Sequence, residues 1–241
     1  MKLTEKIYNG FVKFLGDVKV FKFPFFIVYD PGTFLLKGNE TREVLNLVQP
    51  GDILVRGYIN YLDSYIIPGL FSHAALYLGE VKESDKQYIK PGSEQDFKAG
   101  SQIIIHAMGE GVFMDDVINF CRCDYMIILR RNPAIESEES KKVTFDYVFK
   151  TALQNLGKDY DFKFDFSDFN KLSCTELVYV CCKGFLADYD VKIRTKRVML
   201  IKKRLITPDD YVNSKLGIVW RSNSVTDKKL EKVKSEKKGI A

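Results

Sequence analysis

Apolar residues recur at helical spacing over residues 1–22: Ile7, Phe11, Phe14, Leu15, Val18 and Phe21 share one stripe, with Lys2, Lys6, Lys13, Lys19 and Lys22 around it. The pattern predicts an amphipathic helix, with Gly16 as a place for a bend. Such a helix either packs on the domain or lies on an anionic membrane, since basic residues beside a Phe-rich face suit that interface. Phe23 to Lys37 is aromatic but broken by Pro24, Pro31 and Gly32, and reads as an irregular connection. Glu40 to Val48 fits a short helix closed by Gln49-Pro50-Gly51. Short apolar runs then predict strands at 52–56, 72–79, 102–107, 125–129 and 217–221. A tyrosine-rich loop at 57–70 and a polar insertion at 81–100 separate the first three. Val112-Phe113-Met114 follows two glycines, after which Asp115 or Asp116 caps a short helix running through Cys121. Residues 136–156 read as one helix with Val143, Val148, Ala152 and Leu156 inward, stopped by Gly157. Arg194 to Arg204 is a basic stretch, and Thr207-Pro208-Asp209 opens a short capped helix.

The sharpest local signal is Leu172-Ser173-Cys174-Thr175-Glu176-Leu177. Ser173 and Glu176 have capping-box spacing, and Leu172 and Leu177 are spaced as a hydrophobic staple. Cys174 therefore occupies the first turn of a helix. The free N–H groups and dipole there favour a thiolate and lower a thiol pKa when a basic partner is near, while Glu176 works against this. A nucleophile at this position needs a base from elsewhere in the chain.

Composition narrows the classes. A chain of 241 residues is one domain with extensions or two small ones. Of the formal net charge of +5, the Lys-rich segment 227–241 carries +3, so basic character is mostly a tail property and argues against a nucleic-acid partner. That tail reads as disordered. The five cysteines, Cys121, Cys123, Cys174, Cys181 and Cys182, are odd in number and lack disulfide-framework spacing; no signal peptide is evident, which points to a reducing, cytoplasmic compartment. They also lack paired Cys-x-x-Cys spacing, so no metal and no cofactor is expected. No stretch approaches the ~20 apolar residues of a membrane-spanning helix.

The chain contains two histidines, His73 and His106, each on a predicted strand, and the two strands are neighbours through the 81–100 insertion. Antiparallel pairing would set the imidazoles side by side. A Cys–His nucleophile needs one imidazole to take the thiol proton and a third polar group to fix its tautomer, and His73 with His106 behind it supplies both. Backbone N–H groups at the helix start offer an oxyanion site. Each histidine taken singly also fits a hydrogen-bonded core residue, and the cysteine a buried, inert one.

Five motifs occur in order: Gly51-Asp52-Ile53-Leu54; Phe71-Ser72-His73-Ala74-Ala75-Leu76-Tyr77-Leu78-Gly79; Ile104-Ile105-His106-Ala107; Gly157-Lys158-Asp159-Tyr160-Asp161-Phe162; and Ser173-Cys174-Thr175-Glu176-Leu177-Val178. Together they resemble the YiiX/YebB-like branch of the NlpC-type, papain-like cysteine hydrolases, over about residues 44 to 221. That branch is circularly permuted, with its histidine strands ahead of the cysteine helix, as in this chain. The resemblance implies an α+β fold: an antiparallel sheet with the nucleophile helix packed against it. It implies an N-terminal extension over 1–40, a catalytic domain over 41–223 and a basic tail over 224–241. Cys174 would be the nucleophile, His73 the base and His106 the orienting residue; Tyr77 and Tyr160 would line the pocket, though both also fit core aromatics. The 81–100 insertion departs from the family pattern. The implied chemistry is thiol-based cleavage of an amide or ester through an acyl-enzyme. The substrate is a peptide, or else an acyl lipid handled at a membrane surface touched by residues 1–22. The related lecithin retinol acyltransferases share the His–His–Cys order but carry a different motif around the cysteine. A binding module that keeps the fold without the chemistry is the third possibility.

Overall fold

Short, Val/Ile/Leu-rich segments separated by glycines and turns build this domain around a sheet covered on both faces. The structure is a computed structural model describing residues 34–59, 67, 69–81, 98–164, 166–196 and 201–235, together with the backbone of 19–20, 27–28, 197–198 and 236. Its strands are β1 (Ile53–Gly57), β2 (His73–Glu80), β3 (Gln102–Met108), β4 (Gly111–Asp116), β5 (Tyr125–Arg130), β6 (Arg194–Val198), β7 (Ile201–Leu205) and β8 (Gly217–Arg221). Six of them form one sheet in the order β8-β5-β1-β2-β3-β4, each neighbouring pair antiparallel; β6 and β7 form a hairpin apart from it. The helices are α1 (Gly38–Leu47), α2 (Val117–Phe120), α3 (Glu138–Lys141), α4 (Phe145–Gln154), α5 (Cys174–Leu186), α6 (Pro208–Val212) and α7 (Asp227–Glu236). This mixture of helices with an antiparallel sheet is the α+β arrangement expected. Among the described residues no helix is long and apolar enough to cross a membrane.

Alternation along the central strands assigns two cores. Ile53, Val55, Ala74, Leu76, Ile105 and Ile127 face α5 through Leu177, Val178 and Cys181. Leu54, Ala75, Tyr77, Ile104, Met126 and Ile128 face Val44 of α1 and Phe120 of α2. Because both faces are covered, the inner strands read as nearly continuous apolar runs rather than as alternating ones.

The link into α5 is clamped by backbone bonds. Gly157, in a left-handed conformation at φ 78°, ends the α4 segment, and its N–H donates to Val112 O of β4 at 2.8 Å. Val112 N–H returns to Lys158 O at 2.8 Å, and Leu172 N–H donates to Asp159 O at 3.0 Å. The start of α5 is thereby tied to the outer edge of the sheet.

Several sequence expectations change. The helix expected over 136–156 is two helices, because Thr144 caps a fresh start by accepting Tyr147 N–H at 3.3 Å. The basic stretch is the β6–β7 hairpin. The tail expected to be disordered is helical over Asp227–Glu236: Leu230 and Val233, three apart on one face, pack on the main core, and Val233 O accepts a bond from Asn213 Nδ2 at 2.9 Å. The boundary expected at residue 40 falls inside α1. The N-terminal helix does not run through residue 20, since Lys19–Val20 pairs antiparallel with Ile27–Val28, a segment rich in β-branched residues. The rest of that helix, residues 60–66 of the tyrosine loop and 82–97 of the insertion lie outside the described residues.

One buried ion pair secures α5 from behind. Arg131 donates to Glu136 Oε1 at 2.7 Å and Oε2 at 2.6 Å, to Val143 O and Ser140 O, and lies 4.0 Å over the Phe185 ring; Tyr189 Oη also donates to Glu136. Glu136→Ala strands this guanidinium without its partner. Removing one member of a buried pair costs about 3 kcal/mol, and at this chain length that lowers Tm by roughly 6–12 °C, readable by thermal circular dichroism. An unchanged Tm would show the network to be idle.

Candidate active site

The start of α5 forms as its sequence requires. Glu176 Oε2 accepts Ser173 N–H at 2.7 Å, while the returning bond to the Ser173 hydroxyl is loose, leaving that buried oxygen without a close partner. Glu176 Oε1 also accepts Phe166 N–H at 2.9 Å. Phe164 and Phe166 both have left-handed backbone, φ 51° and 53°, which non-glycine residues adopt only when the surroundings hold them there. Burial raises the pKa of Glu176 to about 7. Its repulsion of a neighbouring thiolate is therefore reduced near neutrality.

Cys174 departs from the simplest expectation for a helix start. The residue is 3 % exposed, and burial pushes its pKa up to about 11 against the pull of N–H groups from Ala74, Thr175 and itself. Desolvation outweighs the helix start, so the resting group is a neutral thiol. All five cysteines are free and buried. Beside Cys174 opens a recess lined by Ile67, Phe164, Thr175, Leu205, Ile206, Thr207 and Pro208, mostly apolar.

His73 and His106 do come together: His73 Nε2 and His106 Nδ1 are 3.0 Å apart. The rings meet edge-on at 5.1 Å between centroids, and Phe120 and Phe113 close over them. Both histidines fall on the alternation that faces α1 and α2, whereas α5 covers the other face. The two faces communicate at the start of β2. Pairing of β2 with β3 begins only at Leu76–Ile105, so no ladder pair joins the two strands beside His73 and Ala74. There the Ala74 N–H, one residue past His73, is among the groups that pull the Cys174 pKa down.

A cation missed in the sequence lies beneath the imidazoles. Arg56, directly opposite His73 in the β1–β2 register, is buried. Its Nη1 donates to Phe120 O at 3.2 Å, its guanidinium lies 4.4 Å over the Phe120 ring, and among the described residues no carboxylate pairs with it. Burial first and Arg56 second hold the pKa of His73 well below its usual value and bring that of His106 down to about 3. At neutral pH both imidazoles are neutral, each with one ring nitrogen bare.

Asp115 is the second residue missed. Asp116, not Asp115, caps α2, accepting Ile118 N–H at 2.8 Å. Asp115 instead points along the sheet face toward His106, with Oδ2 3.8 Å from Nε2. The two expected pocket tyrosines are placed elsewhere. Tyr77 is in the core facing α1, away from the Cys174 recess, because it keeps the alternation of Ala75. Tyr160 meets Phe162 at 4.9 Å and Phe164 at 5.8 Å edge-to-face, one ring back from the recess. Asp52 is structural: it pairs with Arg130 through Nε and Nη2, both at 2.7 Å.

A cysteine at the head of a helix packed on an antiparallel sheet, with two histidines in contact on adjacent strands, is the layout of a papain-like thiol hydrolase whose chain order runs histidine first. The family model for the permuted papain-like amidases of the YaeF/YiiX, C92 family matches residues 47–236, and the chain belongs to that family. It is thus a cysteine hydrolase in the broad sense of an amidase or peptidase. No curated protein and no solved structure matches the chain.

Proposed function

We propose that this protein cleaves an amide bond through a Cys174 acyl-enzyme, with His73 as base and His106 as its orienting partner. The observation that carries the proposal is the start of β2, where His73, held 3.0 Å from His106, is followed directly by Ala74, whose amide pulls down the Cys174 pKa. His73 Nε2 is engaged by His106, so Nδ1 is the nitrogen that takes the thiol proton. As that proton leaves, sulfur forms a bond to the carbonyl carbon and the π electrons move to oxygen, which the Cys174 N–H at the helix start is suited to receive. Collapse breaks the C–N bond, and the imidazolium returns its proton to the leaving amine. Water then attacks the thioester with His73 again as base, releasing the acid and restoring the thiol.

The apolar recess favours an acyl group with an apolar side chain, as in a peptide. A lipid ester is the second reading, favoured by the hairpin: its strands carry Arg194, Lys196, Arg197, Lys202, Lys203 and Arg204, Ile201 is 63 % exposed, and its base at Leu205 lines the recess. Incubation with a panel of N-acylated peptides and fatty-acyl esters, followed by intact-mass analysis, tests both. An acyl adduct on wild-type protein that is absent from Cys174→Ala supports the mechanism. Hydrolysis that persists in Cys174→Ala overturns it, and turnover of fatty-acyl esters alone selects the lipid reading.

A further inference from the structure

The single hydrogen between His73 Nε2 and His106 Nδ1 decides whether His73 can act at all. If His106 Nδ1 donates it, neutral His73 must carry its own proton on Nδ1, and no lone pair remains for a thiol. If His73 Nε2 donates it, Nδ1 is bare and competent. The choice is made at the far side of His106. Its Nε2 is fully buried and, among the described residues, without a hydrogen-bond partner, and the carboxylate oxygen Asp115 Oδ2 stands 3.8 Å away. A negative charge at that distance favours the N–H on the nitrogen facing it.

The geometry points to Asp115 as a positioning residue that keeps both imidazoles in the Nε2–H form and so leaves His73 Nδ1 free to accept the Cys174 proton. The inference rests on the Cys174–His73 reading above. Asp115 sits on β4 opposite Ile104, with Phe113 opposite His106, so its side chain shares the face of β3 that carries His106. Its orientation is held from the other side: Oδ1 accepts Asp116 N–H at 2.7 Å and Asn119 Nδ2–H at 2.8 Å, which turns Oδ2 toward His106. The other charged group facing the pair is Arg56, which opposes protonation of either ring. Asp115 acts on where the existing protons sit, while Arg56 prevents an additional one.

The two donors on Oδ1 make the effect of Asp115→Asn directional. The new amide oxygen keeps the Oδ1 position, where the Asp116 and Asn119 N–H groups require an acceptor, so its NH2 faces His106 Nε2. That nitrogen must then accept, His106 becomes Nδ1–H, and His73 is driven to carry its proton on Nδ1. With only two histidines in the chain, imidazole 15N–1H correlation spectra near pH 7.5 resolve each tautomer. We expect wild-type protein to show Nε2–H at both rings and Asp115→Asn to show Nδ1–H at both, with Cys174 alkylation by iodoacetamide slowed about 10³-fold, within the 10²–10⁴-fold that general-base catalysis supplies. Asp115→Ala removes the bias without reversing it and falls between. A wild-type spectrum with Nδ1–H at His73 overturns the inference whether or not the variants fold, as does an Asp115→Asn spectrum unchanged from wild type. If the tautomers reverse as described yet His73→Ala alkylates like wild type, the role of Asp115 stands and the catalytic reading of His73 falls.

Discussion

Replacing His73 by alanine is expected to slow thiol alkylation and acyl-enzyme formation by about 3,000-fold at pH 7.5 and to turn a plateau into a slope. With the Cys174 pKa raised to about 11, only about 3 in 10,000 thiols are ionised at pH 7.5 without help. A protein that lacks its base must react through that fraction, so its rate should climb tenfold per pH unit toward pH 11. Wild-type protein avoids the penalty by transferring the proton within the encounter. Its rate should stay flat with pH above the depressed pKa of His73, which burial and Arg56 hold well below the usual histidine range. General-base catalysis is worth about 10²–10⁴-fold, so a 3,000-fold loss lies within what one imidazole supplies. Cys174→Ala should abolish adduct formation outright. Matching pH profiles for wild type and His73→Ala would sink the assignment of His73 as base.

The parts of this site that could be read from residue order are those fixed by local spacing. Ser173 and Glu176 announce a helix start because both halves of the motif lie within one turn. Gly157 announces a stop because only glycine takes its left-handed backbone without strain. The apolar runs named the main strands, and neighbouring strands placed two histidines together. What was hidden depends on the third dimension. Arg56 is the last charge of a predicted strand and becomes a buried cation only because α2 folds over it. Asp115 and Asp116 are equivalent caps on paper, and strand alternation sends one toward His106. The hairpin escaped notice because its register sets Lys196 opposite Lys203 and position 197 opposite 202, like charges in sequence that disfavour a strand pairing taken alone. Outside contacts offset this: Lys196 reaches Asp210 Oδ2 and Thr207 Oγ1, both at 2.7 Å, and Lys203 lies over Phe164. The raised pKa of Cys174 was equally hidden, since capping predicts a favoured anion and only packing against β2 supplies the desolvation that wins.

The same buried, neutral imidazoles that equip the site should make the fold sensitive to acid, and a comparison with a variant lacking both separates their contribution from that of the carboxylates. Each histidine takes up a proton in the unfolded chain below pH ~6.5 but resists it when folded, His106 until about pH 3. The unfolded state then binds more protons, so stability falls as pH falls. Between pH 8 and pH 5 the two histidines together should remove about 4 kcal/mol. Glu176 and Asp209 act in the opposite sense over part of this range. Burial raises their folded pKa values to about 7 and about 6, so the folded state gains protons that the unfolded state does not, and stability rises as pH falls through that window. That offset is common to wild type and to His73→Gln/His106→Gln. The stability difference between them, from urea unfolding at pH 8 and pH 5, should therefore shift by about 4 kcal/mol in favour of the variant at the lower pH. Arg56→Met should act in the same direction but less strongly. It relieves the second cause of the depressed histidine pKa values and leaves desolvation, the first, in place. A pH-independent difference would mean that both imidazoles protonate as readily in the folded protein as in water, and a dry Asp115–His106–His73 line would then be untenable.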